Sequence, residues 1–172
     1  MIVTYSNGKQ ISNKNSGIYL SKKATASAPN IDFGDLLEKD KYYTLIVHDP
    51  YAVNDNHNVN HWIITNIQLT KVQGTTLLDY KGPHPPSGSG IHKYFFTLYL
   101  QPTVFKLTKG EAESDLREAQ LLYLLVKLGL KDAEIIDQVF FTSSFAKAGT
   151  VLRKGGRKTR RKRRTKRKSL RS

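Results

Sequence analysis

The chain has 172 residues, 38% of them hydrophobic, no cysteine, and a formal net charge of +14. That length suits one domain with its own core, and the missing cysteines exclude a disulfide framework and thiol chemistry. The charge is not spread evenly: residues 153–172 hold 13 Lys or Arg and no acid, while the other 15 basic residues face all 14 acids. The body, residues 1–152, is therefore near neutral, and arguments from charge concern the tail.

No apolar run reaches the roughly eighteen residues a membrane helix needs. Met1-Ile2-Val3-Thr4-Tyr5 carries no basic stretch followed by a long apolar one, which predicts no secretory signal and an intracellular setting, cytoplasmic or nuclear. Ile2 to Tyr5 reads as an edge strand, with a turn at Asn7-Gly8. Ile18-Tyr19-Leu20 reads as a short pairing segment, and Asp35 to Glu38 as a helical turn or loop. Tyr42 to His48 is apolar on both faces, which predicts a central strand; it ends in Asp49-Pro50. Residues 51–60 hold four Asn and no period, so they read as a loop. His61 opens a second central strand, Trp62 to Ile67, and Thr75 to Leu78 a short one. Tyr94 to Gln101 is a third, stopped by Pro102.

Ser114 to Leu128 predicts a helix. Ser114 caps it, Glu113, Asp115 and Glu118 sit near its positive end, and Leu121, Leu122, Leu124, Leu125 and Leu128 make its apolar face. Gly129 is its expected C-cap. Ala133 to Val139 suits a short helix or turn, and Phe140 to Phe145 a last strand. Strands followed by a late helix imply a mostly β fold with peripheral helices.

The chemistry concentrates at strand ends. Gly82 to Gly90 holds three prolines and three glycines in nine residues, so it forms neither helix nor central strand. It makes a shaped loop that delivers His92 and Tyr94 to the mouth of a strand. Asp49 and His61 also lie at strand ends beside loops, an arrangement typical of a site built on a rigid sheet. If these side chains converge, two imidazoles, a phenol and the amides of a loop containing Gly88 and Gly90 make a small donor-rich cavity suited to phosphate or carboxylate. Asp49 can orient a histidine or meet the ammonium of a zwitterion, and Pro85 and Pro86 supply a stiff wall. His48 and His84 are weaker candidates, and His57 reads as a solvated loop residue.

The segment Gly82-Pro83-His84-Pro85-Pro86-Ser87-Gly88-Ser89-Gly90-Ile91-His92-Lys93-Tyr94, together with Asp49-Pro50 and His61-Trp62, resembles the two motifs of the phosphatidylethanolamine-binding protein family over roughly residues 28 to 146. The resemblance implies two packed antiparallel sheets with Greek-key connections and a helical C-terminal part. It also implies an anion pocket for phosphate or phosphoethanolamine-like groups, lined by Asp49, His61, Pro85, Pro86, His92 and Tyr94, with Trp62 as a neighbour. Family members are known mainly as modulators of kinases and other signalling proteins, so it further implies a regulator of a protein partner. Three positions depart from the pattern. Tyr51 and Val53 replace an Asp and a Pro of the first motif, and Lys93 replaces an Arg without its planar fork.

No enzyme is expected. The chain has no Gly-x-Ser-x-Gly elbow, Walker loop or His-Glu-x-x-His helix. Two other uses of the same side chains remain open: a metal site on Asp49, His61 and His92, and a hydrolytic site in which Ser87 or Ser89 attacks beside His92. The primary reading involves no cofactor. After the Gly155-Gly156 hinge, the tail carries Arg157, Lys158, Arg160, Arg161, Lys162, Arg163, Arg164, Lys166, Arg167 and Lys168. Such a block predicts disorder and polyanion binding: nucleic acid, anionic lipid or a nuclear import receptor. No aromatic interleaves the charges, so base stacking is not expected. The double glycine and the charge run resemble tails on proteins of large DNA viruses. An alternative is a nucleic-acid-associated protein that acts through this tail with a vestigial pocket.

Overall fold

Strands form where β-branched and aromatic residues cluster. The computed structural model describes residues 1–50, 59–70, 73–106 and 113–145. They form β1 (Ile2–Thr4), β2 (Gln10–Ile11), β3 (Asn30–Asp32), β4 (Tyr42–Asp49), β5 (Val59–Ile67), β6 (Thr75–Leu78), β7 (Ile91–Gln101) and β8 (Ile135–Ser144). Two short helices, α1 (Glu113–Arg117) and α2 (Leu121–Lys127), lie between β7 and β8.

The strands make a small sheet, β2-β1-β3, and a large one, β6-β5-β4-β7-β8, with every strand pairing antiparallel. β4, β5 and β6 follow one another as hairpins, and β7 returns beside β4, which is a Greek key. Three layers result. Val3, Tyr5 and Ile11 of the small-sheet region pack on Leu45, Ile64, Phe96, Leu98 and Phe141 of the large sheet. On its other face Ile46, Ile63, Leu78 and Tyr99 meet Leu116, Leu124 and Leu128 of the helical segment. Each fully buried aromatic or aliphatic side chain contributes about 1.5–3 kcal/mol of transfer free energy.

β4 to β7 fall on the expected strands, although β5 already starts at Val59, inside the expected loop 51–60, and β7 at Ile91 rather than Tyr94. Three other expectations need correction. Ile2 to Tyr5 is not an edge: β1 is the middle strand, with Val3 opposite both Ile11 and Ile31. Its neighbours are two and three residues long, too short to show a period. The expected single helix is broken between Arg117 and Leu121. At the break the Asn60 side chain, reaching up from β5, donates to the carbonyls of Leu116 (2.6 Å) and Ala119 (3.1 Å). The first helix starts at Glu113, so Ser114 lies inside it rather than capping it, while Gly129 does take the positive φ of a helix end, 62°. Finally, Ala133 to Val139 is largely strand. β8 begins at Ile135, whose pairing with Tyr99 continues to Ser144 against Ile91, and this tertiary ladder overrides the local helical signal.

The outer edge of β8 is covered by residues 17–20: Thr142 N–H donates to the Ile18 carbonyl (2.8 Å) and Leu20 N–H to the Thr142 carbonyl (2.9 Å). Among the described residues no helix is long and apolar enough to cross a membrane.

Candidate functional site

Strand alternation and one bulge bring the polar side chains together. On β7, His92 and Tyr94 lie two residues apart and so share the face that Phe96 and Leu98 present to the small sheet. Asp49 is the last residue of β4, on the same face as Val47. β5 pairs Trp62 with Val47 and Asn60 with His48, which leaves His61 as an extra residue in a bulge. The bulge lets both His61 and Trp62 face the small sheet. The His61 ring meets Tyr94 edge-on at 5.1 Å between centroids, while Asn60 points to the helices.

The proline-glycine loop closes the site. It is tied to β5 at its start, where Lys81 N–H donates to the His61 carbonyl (2.8 Å) and His61 Nδ1 bonds the Lys81 carbonyl (2.7 Å). Gly82 is required there: a Cβ would stand 2.8 Å from the Thr25 carbonyl oxygen. Between loop and sheet lies a cavity of about 180 Å³ lined by Asp49, Val59, His61, Lys81, Gly82, His84, Pro85, Pro86, His92 and Tyr94. Larger cavities lie elsewhere, one beside Gly129, Lys131, Asp132 and Glu134 and one beside Phe33 and Trp62, but neither is lined by a histidine.

The hydrogen-bond inventory sets the electrostatics. Asp49, 2% exposed, receives His92 Nδ1 at 2.6 Å and also the Tyr94 hydroxyl. Burial, and then Asp49, push the Tyr94 phenol well above its ordinary value, so it stays a neutral donor. Since a carbonyl only accepts, His61 Nδ1 carries the proton donated to Lys81. Burial is the main cause that holds His61 below the ordinary histidine value, outweighing its backbone bond and Asp49. Neutral His61 therefore keeps an unprotonated Nε2. His92 Nε2 lies 2.8 Å from Ser89 Oγ, which is itself 2.8 Å from the Pro86 carbonyl.

The family profile described as phosphatidylethanolamine-binding protein matches residues 4–137. The chain belongs to the phosphatidylethanolamine-binding protein family. It is 31% identical over 105 residues to the 26 kDa secreted antigen of Toxocara canis, a match that covers 58% of this chain and 38% of that longer protein. Several solved structures share the fold. The phosphatidylethanolamine-binding protein from Plasmodium vivax superposes with a TM-score of 0.64 at 23% identity, covering 83% of each chain. A carboxypeptidase Y inhibitor, solved in complex with its cognate proteinase, gives 0.61 at 22% identity and covers 83% of this chain and 81% of that one. The intracellular setting expected from the N-terminus is corrected here: the Toxocara canis relative is described as a secreted antigen, so the N-terminal pattern does not fix the compartment.

Of the residues singled out in the sequence, Asp49, His61, Pro85, Pro86, His92 and Tyr94 all line the cavity of this family member, and His84 joins them. Gly88 and Gly90 do not. They lie at the exposed tip of the loop with φ of 82° and 86°. Trp62 packs on Tyr80 and lines the neighbouring groove. His48 faces away from the cavity, stacked on Phe95, and burial lowers its pKa to about 4. Lys93 also lies outside, 5.5 Å from the Phe140 ring centroid, so the family's Arg position does not feed the pocket here. Lys81 was missed, although it directly precedes the loop motif. Tyr51, Val53, His57 and the whole basic tail lie outside the described residues, as does the boundary at residue 152. Among the described residues, no group of three or more His, Cys, Asp or Glu is placed to hold a metal ion.

Proposed function

We propose that this protein binds a phospho-anion, inorganic phosphate or a phosphoethanolamine-like headgroup, in the cavity formed by Asp49, His61, Pro85, Pro86, His92 and Tyr94. Occupancy biases which surface it offers to a protein partner that it regulates, such as a kinase or another signalling protein. The observation that carries this reading is the buried Asp49, which fixes His92 at 2.6 Å and Tyr94 beside a cavity large enough for one phosphate. Lys81 supplies a cation at the rim. The complex of the carboxypeptidase Y inhibitor with its proteinase supports the partner half of the reading, as an example of this fold acting on another protein.

Neutral His61 offers a lone pair to the cavity, so anion binding favours its protonated form. Affinity for phosphate then rises as pH falls, and binding takes up a proton. The test is a two-dimensional NMR titration with phosphoethanolamine and phosphate. His92→Ala abolishes the shifts at His61, Lys81 and Tyr94; unchanged affinity in that variant refutes the site.

Residues 153–172 act as a separate polyanion-binding arm on a body that ends near residue 152. Thirteen positive charges without an acid support this, and nucleic acid is the polyanion they suit best. Affinity for duplex DNA falls steeply with salt and is lost when the tail is deleted; binding that is flat in salt contradicts this part.

A further inference from the structure

Three side chains of the loop and sheet form one continuous hydrogen-bonded chain. Asp49 Oδ2 bonds His92 Nδ1 at 2.6 Å, and His92 Nε2 bonds Ser89 Oγ at 2.8 Å. Asp49 and His92 are buried, at 2% and 1%, while Ser89 is exposed at the mouth. This is the order carboxylate, imidazole, hydroxyl, with the carboxylate on one ring nitrogen and the hydroxyl on the other. It is the arrangement that activates a serine: the carboxylate fixes the tautomer and the free nitrogen takes the hydroxyl proton. Ser87, in the same loop, has no such contact among the described residues.

The proton count makes the arrangement switchable. A carboxylate only accepts, so Nδ1 carries a proton. When His92 is neutral, Nε2 is a lone pair and the Ser89 hydroxyl donates to it. When His92 is doubly protonated, Nε2 donates, and the hydroxyl turns to the Pro86 carbonyl, also 2.8 Å away. Only the first state has a base for the serine.

The loop supplies the rest of the machinery. Ser89 sits between Gly88 and Gly90, both in the left-handed region (φ 82° and 86°), with nothing within 4 Å of where their Cβ atoms would be. A substrate can therefore approach the backbone closely. Among the described residues neither glycine amide donates a hydrogen bond, so both remain available to a developing oxyanion.

We propose that Ser89, with His92 as base and Asp49 as its orienting carboxylate, is a nucleophile toward small carboxylic esters whose acyl group fits the adjoining cavity. Ser89 Oγ bonds to the carbonyl carbon while its proton passes to His92 Nε2. The bond to the leaving alcohol then breaks, and that oxygen takes the proton from Nε2. Water enters by the same route, releasing the acid and restoring Ser89. The chemistry needs no bound phosphate, and phosphate in the cavity blocks it by occupying the acyl site.

The test uses the full chain with a fluorophosphonate probe, whose phosphorus is attacked by Oγ with loss of fluoride, and with p-nitrophenyl acetate as the ester. The expected result is one adduct per chain, mapped to Ser89 by peptide mass spectrometry. Ser89→Ala removes the adduct, Ser87→Ala labels like the parent, and His92→Gln slows labelling by at least about 100-fold, the smallest usual contribution of a general base. Labelling at the Ser89→Ala level, an adduct shared with Ser87, or labelling as fast in His92→Gln as in the parent overturns the proposal. Phosphate-induced NMR shifts that persist in Ser89→Ala show that the binding reading stands even if the nucleophile fails.

Discussion

The inner face of the large sheet and its rim are made by the same strands, yet they obey opposite rules. Along β4 and β7, Leu45, Phe96 and Leu98 bury apolar surface against the small sheet, and nothing there needs a partner. A few residues further on, Asp49, His92 and Tyr94 are as deeply buried but polar, so each must find a hydrogen bond. The interior stabilises; the rim uses that stability to hold a carboxylate and an imidazole 2.6 Å apart in a fixed orientation. A site of this kind is preorganised because its supports are core strands rather than loops alone.

The largest expected effect breaks the inner face. Phe96→Ala loses about 3–5 kcal/mol in chemical denaturation, because a fully buried ring leaves a cavity. If the rim depends on the interior, phosphate-induced shifts weaken in this variant although no pocket residue has changed.

The outer face provides a pH test. His48 is buried neutral against Phe95, with its pKa lowered from 6.5 to about 4. The unfolded chain takes up this proton first, so stability falls as pH drops from 6.5 to about 4 and the contribution levels off below that. The window corresponds to roughly 3 kcal/mol. His48→Phe removes this contribution in denaturant titrations across that range, leaving the dependence of the same sign due to His61.

Asn60 sharpens the comparison, because it lies beside His61 yet serves the helices. Asn60→Ala loses about 1–2 kcal/mol through the Leu116 and Ala119 carbonyls, with phosphate binding unchanged. Smallest of all, Lys93→Ala alters phosphate affinity less than about twofold, since its ammonium lies over Phe140 and not in the cavity. A tenfold loss in a phosphate titration would show that its charge acts at the site.

β4 to β7 were legible from apolar runs and turn residues, and the site from the loop motif and its strand-end partners. What escaped depended on tertiary pairing. The bulge that turns His61 inward comes from a register shift between two strands, and no local pattern marks it. The helix break depends on an asparagine more than fifty residues away in sequence. β1 becomes a central strand through neighbours of two and three residues. Ser87 and Ser89 looked equivalent beside His92; only the folded loop brings one of them to Nε2.

The most direct test of the account is the NMR titration of the full chain with phosphoethanolamine at near-neutral pH, repeated in His92→Ala to separate the pocket from the tail. The account predicts shifts at His61, Lys81, His92 and Tyr94 in the parent that grow as pH falls and vanish in the variant. Parent and variant spectra that respond alike, with changes confined to the basic tail, would contradict it.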